Sequence, residues 1–430
     1  MPDTFVIEGL AGKRTLKGKI SVSGAKNAAL KLMAASVIFR DKVTLTNIPD
    51  IEDVRRMADL LAHMGALVSF DRGTMEILPP QNGNVPELAP DIAKRMRASV
   101  VLTGPLLARY GKVSFPHPGG CVIGARPIDL FTKGFEKMGA KVTVDKNGYV
   151  IKTAGKKLKG AELFFRKQSV TATETFMIAA VLAQGTTVLK NAAMEPEIED
   201  LAKFLISGGA RIEGAGTPTI KIHGDGLLVA RGNAHATMPD RIDAGSFIIL
   251  AALAGDDVEV TRINPAHLEA LTSALQEAGI PLEIGKTSIR VRAKGKKVIP
   301  AQCGFQTHEY PGFPTDLQAP MTILLTQAHG ESTVFETIFE GRLNYTESLK
   351  GMGADITMMD PHRVLVRGPR TLRGKNLESP DLRAGLAFVI AAVVAKGRSV
   401  IHNVYNIDRG YERIEERLQK IGVKIERIPA

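Results

Sequence analysis

Met64-Gly65-Ala66-Leu67-Val68 is a short phrase, and the chain repeats it. It returns as Met138-Gly139-Ala140-Lys141-Val142, Gly208-Gly209-Ala210-Arg211-Ile212 and Ala278-Gly279-Ile280. Met352-Gly353-Ala354-Asp355-Ile356 and Ile421-Gly422-Val423-Lys424-Ile425 complete the series. Each copy ends a helical pattern and opens an alternating strand, and the copies lie roughly 70 residues apart, a regular internal period. The glycine is what a helix C-cap requires, because the chain must enter the left-handed region before it becomes a strand.

Working outward, each copy belongs to a longer unit with a common opening. Small or polar residues lead into an apolar helix at Ser23-Gly24-Ala25-Lys26-Asn27, Met96-Arg97-Ala98-Ser99 and Ser169-Val170-Thr171-Ala172. The same happens at Asp240-Arg241-Ile242-Asp243, Pro314-Thr315-Asp316-Leu317 and Asp381-Leu382-Arg383-Ala384. Runs such as Ser246–Leu253 and Ala387–Val394 are apolar all round and are predicted to be buried on every side. A short β run and an amphipathic helix follow, as at Thr186–Leu189 and Ile198–Leu205. The unit therefore reads helix, strand, helix, strand with a hairpin, and it predicts an α/β chain of two domains with three units each.

The first strands, Phe5–Ile7 and Lys17–Val22, precede the first opening helix and are expected to pair with the last unit. That places residues 22–238 in an N-terminal lobe, and 1–21 plus 239–430 in a C-terminal lobe.

At 430 residues the chain is too long for one ordinary core, while 44% apolar and 23% charged residues suit a globular protein. Aromatics make up 5% and Trp is absent, which argues against nucleic-acid stacking platforms. The net charge of +11 invites an anionic partner, yet Lys and Arg are scattered, which favours a small anion over a polyanion. Two cysteines, Cys121 and Cys303, suit a reducing compartment, and no signal peptide is read at the start, so the expected location is cytoplasmic. Apolar runs fall short of the ~20 residues of a membrane span. Neither the nine His nor the two Cys show metal-ligand spacing, so no metal site is expected.

The stretch Pro118-Gly119-Gly120-Cys121-Val122-Ile123-Gly124-Ala125-Arg126-Pro127-Ile128-Asp129 sets a thiol, a guanidinium and a carboxylate into a glycine-rich loop. It reads either as a lid over an anionic substrate or as a turn whose Cys is a small apolar filler.

Together with the sixfold unit, four motifs strongly resemble the UDP-N-acetylglucosamine enolpyruvyl transferase family. They are Ser23-Gly24-Ala25-Lys26-Asn27, the 118–129 loop, Pro314-Thr315-Asp316 and Asp408-Arg409-Gly410-Tyr411-Glu412-Arg413, and the resemblance runs from about Phe5 to Arg427. It implies an inside-out α/β barrel in each domain, three βαβαββ-type repeats per domain, with the active site in the cleft between the lobes. It also implies transfer of the enolpyruvyl group of phosphoenolpyruvate to the 3′-hydroxyl of UDP-N-acetylglucosamine, with release of phosphate. No cofactor, nucleic acid or membrane takes part.

Phosphoenolpyruvate carries a phosphate and a carboxylate, so its site needs several cations. Lys26 at a helix start combines a positive side chain with free backbone N–H groups. Arg97, Arg126, Arg383 and Arg409 can add bidentate forks. Three of these have a plainer alternative: Lys26 as a solvated residue after a capping Ser23, and Arg383 and Arg409 as partners of the adjacent Asp381 and Asp408. By resemblance, Cys121 is the acid that protonates the methylene carbon, and Arg126 beside it lowers the thiol pKa. Asp316 accepts the proton of the sugar hydroxyl by the same resemblance, although a carboxylate at that helix start would also serve as an N-cap. Lys26 and Arg409 complete the catalytic set.

The positions that match the family's nucleotide contacts are Arg126, Pro127, Ile128, Asp129, Leu130, Lys167, Gln168, Ser169, Val170 and Ile338. Asn27 lies at the phosphoenolpyruvate and sugar end, Glu195 and Arg241 join a polar network around the sugar, and Arg342 adds charge. Cys303 reads as a strand residue. Phe131, Gln168, Thr171 and Met194 depart from the family pattern, all on the sugar-nucleotide side. The sister enzymes that use shikimate 3-phosphate share the fold, lack the loop Cys and begin with a PGDKS motif in place of Ser-Gly-Ala-Lys-Asn.

Overall fold

All six phrase glycines lie at positive φ, from 78° at Gly279 to 107° at Gly209. In five copies the next residue donates its N–H to the carbonyl five positions back, at 2.9–3.1 Å, as in Ala66→Leu61 and Val423→Leu418. This is the helix-ending motif that glycine permits, because only a residue without Cβ enters this conformation cheaply. The structure, a computed structural model, describes residues 3–81, 88, 91, 96–117, 128–155, 157–298 and 304–429.

Leaving aside residues outside that set, the chain forms two units. One comprises Met1–Ser23 and Pro239–Ala430; the other comprises Gly24–Gly120 and Arg126–Met238. Both are α/β, and each has its own apolar core.

In the unit that holds both chain ends, three four-stranded sheets are described. Gly255–Thr261 lies between Leu16–Ser21, parallel, and Ser288–Val291, antiparallel. Gly330–Phe335 likewise runs parallel to Phe305–Gln306 and antiparallel to Arg363–Gly368. In the third sheet Thr4–Glu8 pairs on one side with Arg398–His402 and on the other with Lys424–Ile428, Phe5 facing Ile401 and Ile7 facing Ile425. The first strand thus completes the last unit. Leu16–Ser21 does not: it runs beside the fourth unit, with Ile20 opposite Val260, which corrects the expectation that both early strands join the last. The register follows the apolar alternation, Ile20 and Val260 both being buried.

Beneath these sheets three helices pack on one another: Arg241–Ala254, Gln318–Thr326 and Leu382–Val394. Every residue of the first two is buried, and so is the third from Arg383 onward. A helix apolar on all faces has no solvent side, so it ends up central. Asp240 and Asp381 start two of them as N-caps, accepting from the N–H groups of Ile242 at 2.8 Å and Arg383 at 2.7 Å.

The other unit repeats the plan. Val43–Thr46 runs parallel to Ala234–Ala236 and antiparallel to Thr74–Leu78; Thr186–Lys190 does the same with Glu162–Phe164 and Thr219–His223. Gly148–Thr153 sits between Lys112–Pro116 and Ala140–Asp145. The buried helices here are Lys26–Ala35, Thr103–Tyr110 and Val170–Ala180, the last capped by Ser169, whose hydroxyl accepts from Ala172 N–H at 3.3 Å.

One recurring device escaped sequence reading. Asn47, Asn191, Arg262 and Asn403, each directly after a strand, take left-handed φ values of 54–59°. Asparagine tolerates that region, and its recurrence after the first β run of a unit was the available signal. Among the described residues no helix is long and apolar enough to cross a membrane.

Candidate active site

The chain passes from Ser23, the last residue of one unit's first segment, through Gly24 and Ala25 to the helix that begins at Lys26. A Cβ on Gly24 would come within 1.7 Å of the Asn47 carbonyl oxygen, so only glycine lets the chain lie there. Ala25, not Ser23, occupies the N-cap, and it makes no side-chain cap; Ser23 instead donates its hydroxyl to Glu412 at 2.7 Å. Lys26, at the first helical position, is 8% exposed and lies 2.7 Å from the carboxylate of Asp53, itself 1% exposed. A capped and solvated Lys26 is therefore not what the fold builds. It builds an ammonium held at a helix N-terminus by a buried acid, which fixes its position.

Five residues on, Lys31 donates its Nζ to the Asn27 carbonyl at 2.9 Å and lies 3.1 Å from Glu174 on the helix Val170–Ala180. Glu195 occupies the N-cap position of the helix Pro196–Ser207 without a side-chain cap and is buried, as is Glu197. Ile128 is buried directly before the helix Asp129–Lys137, Leu130 is half-buried, and Asp129 pairs with Lys133 at 3.4 Å on the surface. Phe131 stacks on Phe176 with ring centres 6.3 Å apart, joining that helix to Val170–Ala180. Two segments with expected nucleotide contacts, 128–130 and 169–170, are thus carried on neighbouring helices. Gln168 donates to the Ala192 carbonyl at 3.3 Å, and Lys167 is exposed. Arg97 opens a 3-10 turn, Arg97–Leu102. Cys121, Arg126, Pro127 and Cys303 lie outside the described residues.

In the unit that holds the chain ends, Asp316 is the hub. Arg342 Nη2 donates to its Oδ1 at 2.7 Å, and Arg383 donates to its Oδ2 through Nη2 at 2.7 Å and Nε at 3.0 Å. Arg383 Nη1 also donates to the Tyr411 hydroxyl at 2.8 Å. Arg342 reaches Thr315 Oγ1 at 3.0 Å, Thr315 donates to Glu336 at 2.8 Å, and Glu336 accepts from the N–H of Ile338 at 2.9 Å. The capping alternative for Asp316 fails, since Pro314 is the N-cap and the carboxylate faces guanidinium groups. The local ion-pair alternatives fail as well. Asp381 spends its carboxylate on the helix N-terminus, and Asp408 pairs with Arg427 at 2.8 and 2.9 Å. Arg409 follows directly, half-buried at the end of Tyr405–Asp408. Arg241 lies with its guanidinium carbon 5.6 Å from the ring centre of Tyr310.

The electrostatics follow from that hub. Burial acts to raise the Asp316 carboxyl, but the charges of Arg383 and Arg342 outweigh it and hold it below the usual carboxylate range. Burial likewise acts to lower Arg383, and Asp316, Tyr411 and Asp240 together more than reverse it, so the guanidinium stays charged. Burial pushes the Tyr411 phenol up to about 12, which keeps its proton on. About a quarter of the Asp316 side chain, 26%, stays open to solvent, so an incoming hydroxyl can reach the carboxylate. A paired carboxylate is a weak base while both forks hold it. Arg342 and Arg383 are also the kind of residue that binds phosphate and carboxylate. Sequence reading missed Asp53, Glu174, Thr315, Glu336 and Tyr411 as partners, because each gains its role through a contact distant in the chain.

A family described as EPSP synthase (3-phosphoshikimate 1-carboxyvinyltransferase) matches residues 10–418. The chain belongs to that family. It is 47% identical over 430 residues to a UDP-N-acetylglucosamine 1-carboxyvinyltransferase of Acidobacterium capsulatum, covering 99% of this chain and 96% of the relative. Relatives of the same name from Koribacter versatilis and Magnetococcus marinus are 46% and 45% identical, with 99% and 97% of this chain covered and 96% and 98% of theirs. Among solved structures, the enolpyruvyl transferase NikO from Streptomyces tendae aligns with a TM-score of 0.87 at 24% identity, covering 100% of this chain and 99% of that one. An EPSP synthase from Acinetobacter baumannii aligns with a TM-score of 0.74 at 20% identity, covering 98% and 99%. At those identities the structures speak for the fold alone.

Proposed function

We propose that this protein is a UDP-N-acetylglucosamine 1-carboxyvinyltransferase. It transfers the enolpyruvyl group of phosphoenolpyruvate to the 3′-hydroxyl of UDP-N-acetylglucosamine and releases phosphate, the first committed step of peptidoglycan precursor synthesis in the cytoplasm. The observation that carries this reading is 44–47% identity, over nearly the whole chain, to four relatives that bear that name. The three sheets and central buried helices of each unit support reading them as the three repeats of an inside-out barrel, with lobes at 22–238 and at 1–21 plus 239–430.

Lys26, Arg97, Arg126, Arg383 and Arg409 hold the phosphate and carboxylate of phosphoenolpyruvate, and Asn27 lies beside them. The segments 126–130 and 167–170, with Ile338, take the sugar nucleotide. Cys121 gives its thiol proton to the methylene carbon while the sugar hydroxyl oxygen bonds to the adjacent carbon and yields its proton to Asp316. The resulting phosphate-bearing ketal then loses phosphate as a methyl proton is taken back, which regenerates the enol double bond.

Shikimate 3-phosphate is the competing acceptor, since the family's description names that activity. Measuring phosphate release from phosphoenolpyruvate with each acceptor in turn separates the two. Release dependent on UDP-N-acetylglucosamine supports the proposal; release only with shikimate 3-phosphate overturns it.

A further inference from the structure

We propose that Lys31 and Glu174 form a buried positioning pair that holds the first turn of the helix Lys26–Ala35, and with it Lys26 and Asn27, in place for an anionic substrate. The proposal rests on the reading that Lys26 binds phosphoenolpyruvate. Neither residue belongs to the proposed chemistry, and both sit in helices otherwise made for an apolar core. Lys31 is 6% exposed and lies between Leu30 and Leu32; Glu174 is fully buried, two residues before Phe176. An ion pair at such positions carries a large desolvation cost and is weak evidence for stability, so its placement asks for another role.

The geometry supplies one. The Lys31 side chain reaches back one helical turn and donates to the Asn27 carbonyl at 2.9 Å, at the residue next to Lys26. The same ammonium lies 3.1 Å from Glu174 Oε2 on a second helix, and neither Glu174 oxygen meets another hydrogen-bond partner among the described residues. Glu195 and Glu197, at the start of a third helix, complete the charged groups acting on Glu174. Lys31 is the cation among them, and it ties the helix Val170–Ala180 to the first turn of Lys26–Ala35.

Burial pushes the Glu174 carboxyl up to about 7, with Lys31 opposing and Glu197 and Glu195 adding to the rise. The pair is therefore fully charged above neutrality and loses its anion below it. Its grip on the first turn should weaken as pH falls.

The test uses the full chain and steady-state phosphate release. Wild type with UDP-N-acetylglucosamine comes first: no release there fails the proposed function and is recognised before any variant is made. The decisive variant is Lys31→Met with Glu174→Met, because replacing a buried ion pair by apolar side chains of similar size is commonly neutral or stabilising. Its thermal midpoint should equal or exceed that of wild type. Its KM for phosphoenolpyruvate should rise about tenfold, the equivalent of one charge-assisted hydrogen bond, with kcat and the KM for the nucleotide sugar within about threefold. Lys31→Arg should restore the KM to within about threefold of wild type. A folded double variant with wild-type KM overturns the proposal. Should the double variant not fold, Glu174→Gln carries the same expectation, and an unchanged KM there overturns it too.

Discussion

Asp316 in one unit and Glu174 in the other are both carboxylates next to cations, and the fold drives them in opposite directions. Asp316 faces two guanidinium groups and stays ionised far below neutrality. Glu174 faces one ammonium and two other acids, and burial carries it up to about 7. Asp243 supplies the missing intermediate. Arg417 holds it bidentately at 2.6 and 3.1 Å, yet burial still raises it. At Asp243 burial, with Asp240 adding to it, outweighs Arg417 and the weaker pull of Arg383; at Asp316, a quarter open, two guanidinium groups in direct contact outweigh burial. The lesson is that cations in direct contact, weighed against burial and neighbouring acids, set which acid is charged. An acid held charged and partly open is suited to meet a substrate, whereas a fully enclosed one is suited to hold structure.

Breaking the Asp316 side should have the largest effect. Asp316→Asn keeps the shape and removes the base, so kcat should fall ~10²-fold or more while the nucleotide sugar binds nearly as before. Stopped-time phosphate assays and ligand titration check it. Surviving turnover with collapsed binding would make Asp316 structural.

Arg383→Met removes one of the two forks and should turn Asp316 into a second Asp243. Breaking a buried pair from one side costs about 3 kcal/mol, so the urea midpoint should fall clearly. The Asp316 carboxyl should rise in the same variant. In wild type its contribution is present above its ordinary value of 3.8 and is lost only as pH falls toward the depressed one. In Arg383→Met, with the carboxyl raised above 3.8, the sign reverses and the variant should lose stability relative to wild type as pH rises, which urea titrations from pH 3 to 7 would register. A pH-independent difference between variant and wild type would sink the comparison.

Glu174→Gln sharpens the other side of the comparison. A carboxyl raised in the folded state contributes stability that is complete below its ordinary 4.5 and is lost as pH rises through about 7. The neutral amide has no such window. The stability difference between variant and wild type should therefore shift in favour of the variant between pH 5 and 8, and a pH-independent difference would contradict it. The smallest effect belongs to an exposed pair: Lys133→Ala removes the bridge to Asp129 and should change stability by no more than about 0.5 kcal/mol, readable in the same urea series.

Much of the fold was legible in residue order because it rests on local chemistry. The glycine phrase announced six helix ends, since a left-handed C-cap is a property of the residue itself. Runs such as Ser246–Leu253 announced central helices, since a helix with no polar face has nowhere else to go. In residue order Asp316, at a helix opening, read as a possible cap, and Asp381, at a matching place, as a possible ion-pair partner of Arg383; the fold reverses the two. What separated them was tertiary: Asp381 bonds N–H groups two and three residues away, whereas Asp316 meets guanidinium groups 26 and 67 residues away. Lys26 was picked out by its motif, but its buried partner Asp53 became visible only in the folded chain. The pairing of Leu16–Ser21 with the fourth unit was likewise decided by packing, because a strand's alternation says which face is apolar and not which neighbour supplies the edge. Glu174 is the sharpest instance. The residue type says only that a carboxyl is present, while its charge near neutrality depends on how many cations and acids the other helices bring to it, and sequence order does not contain that number.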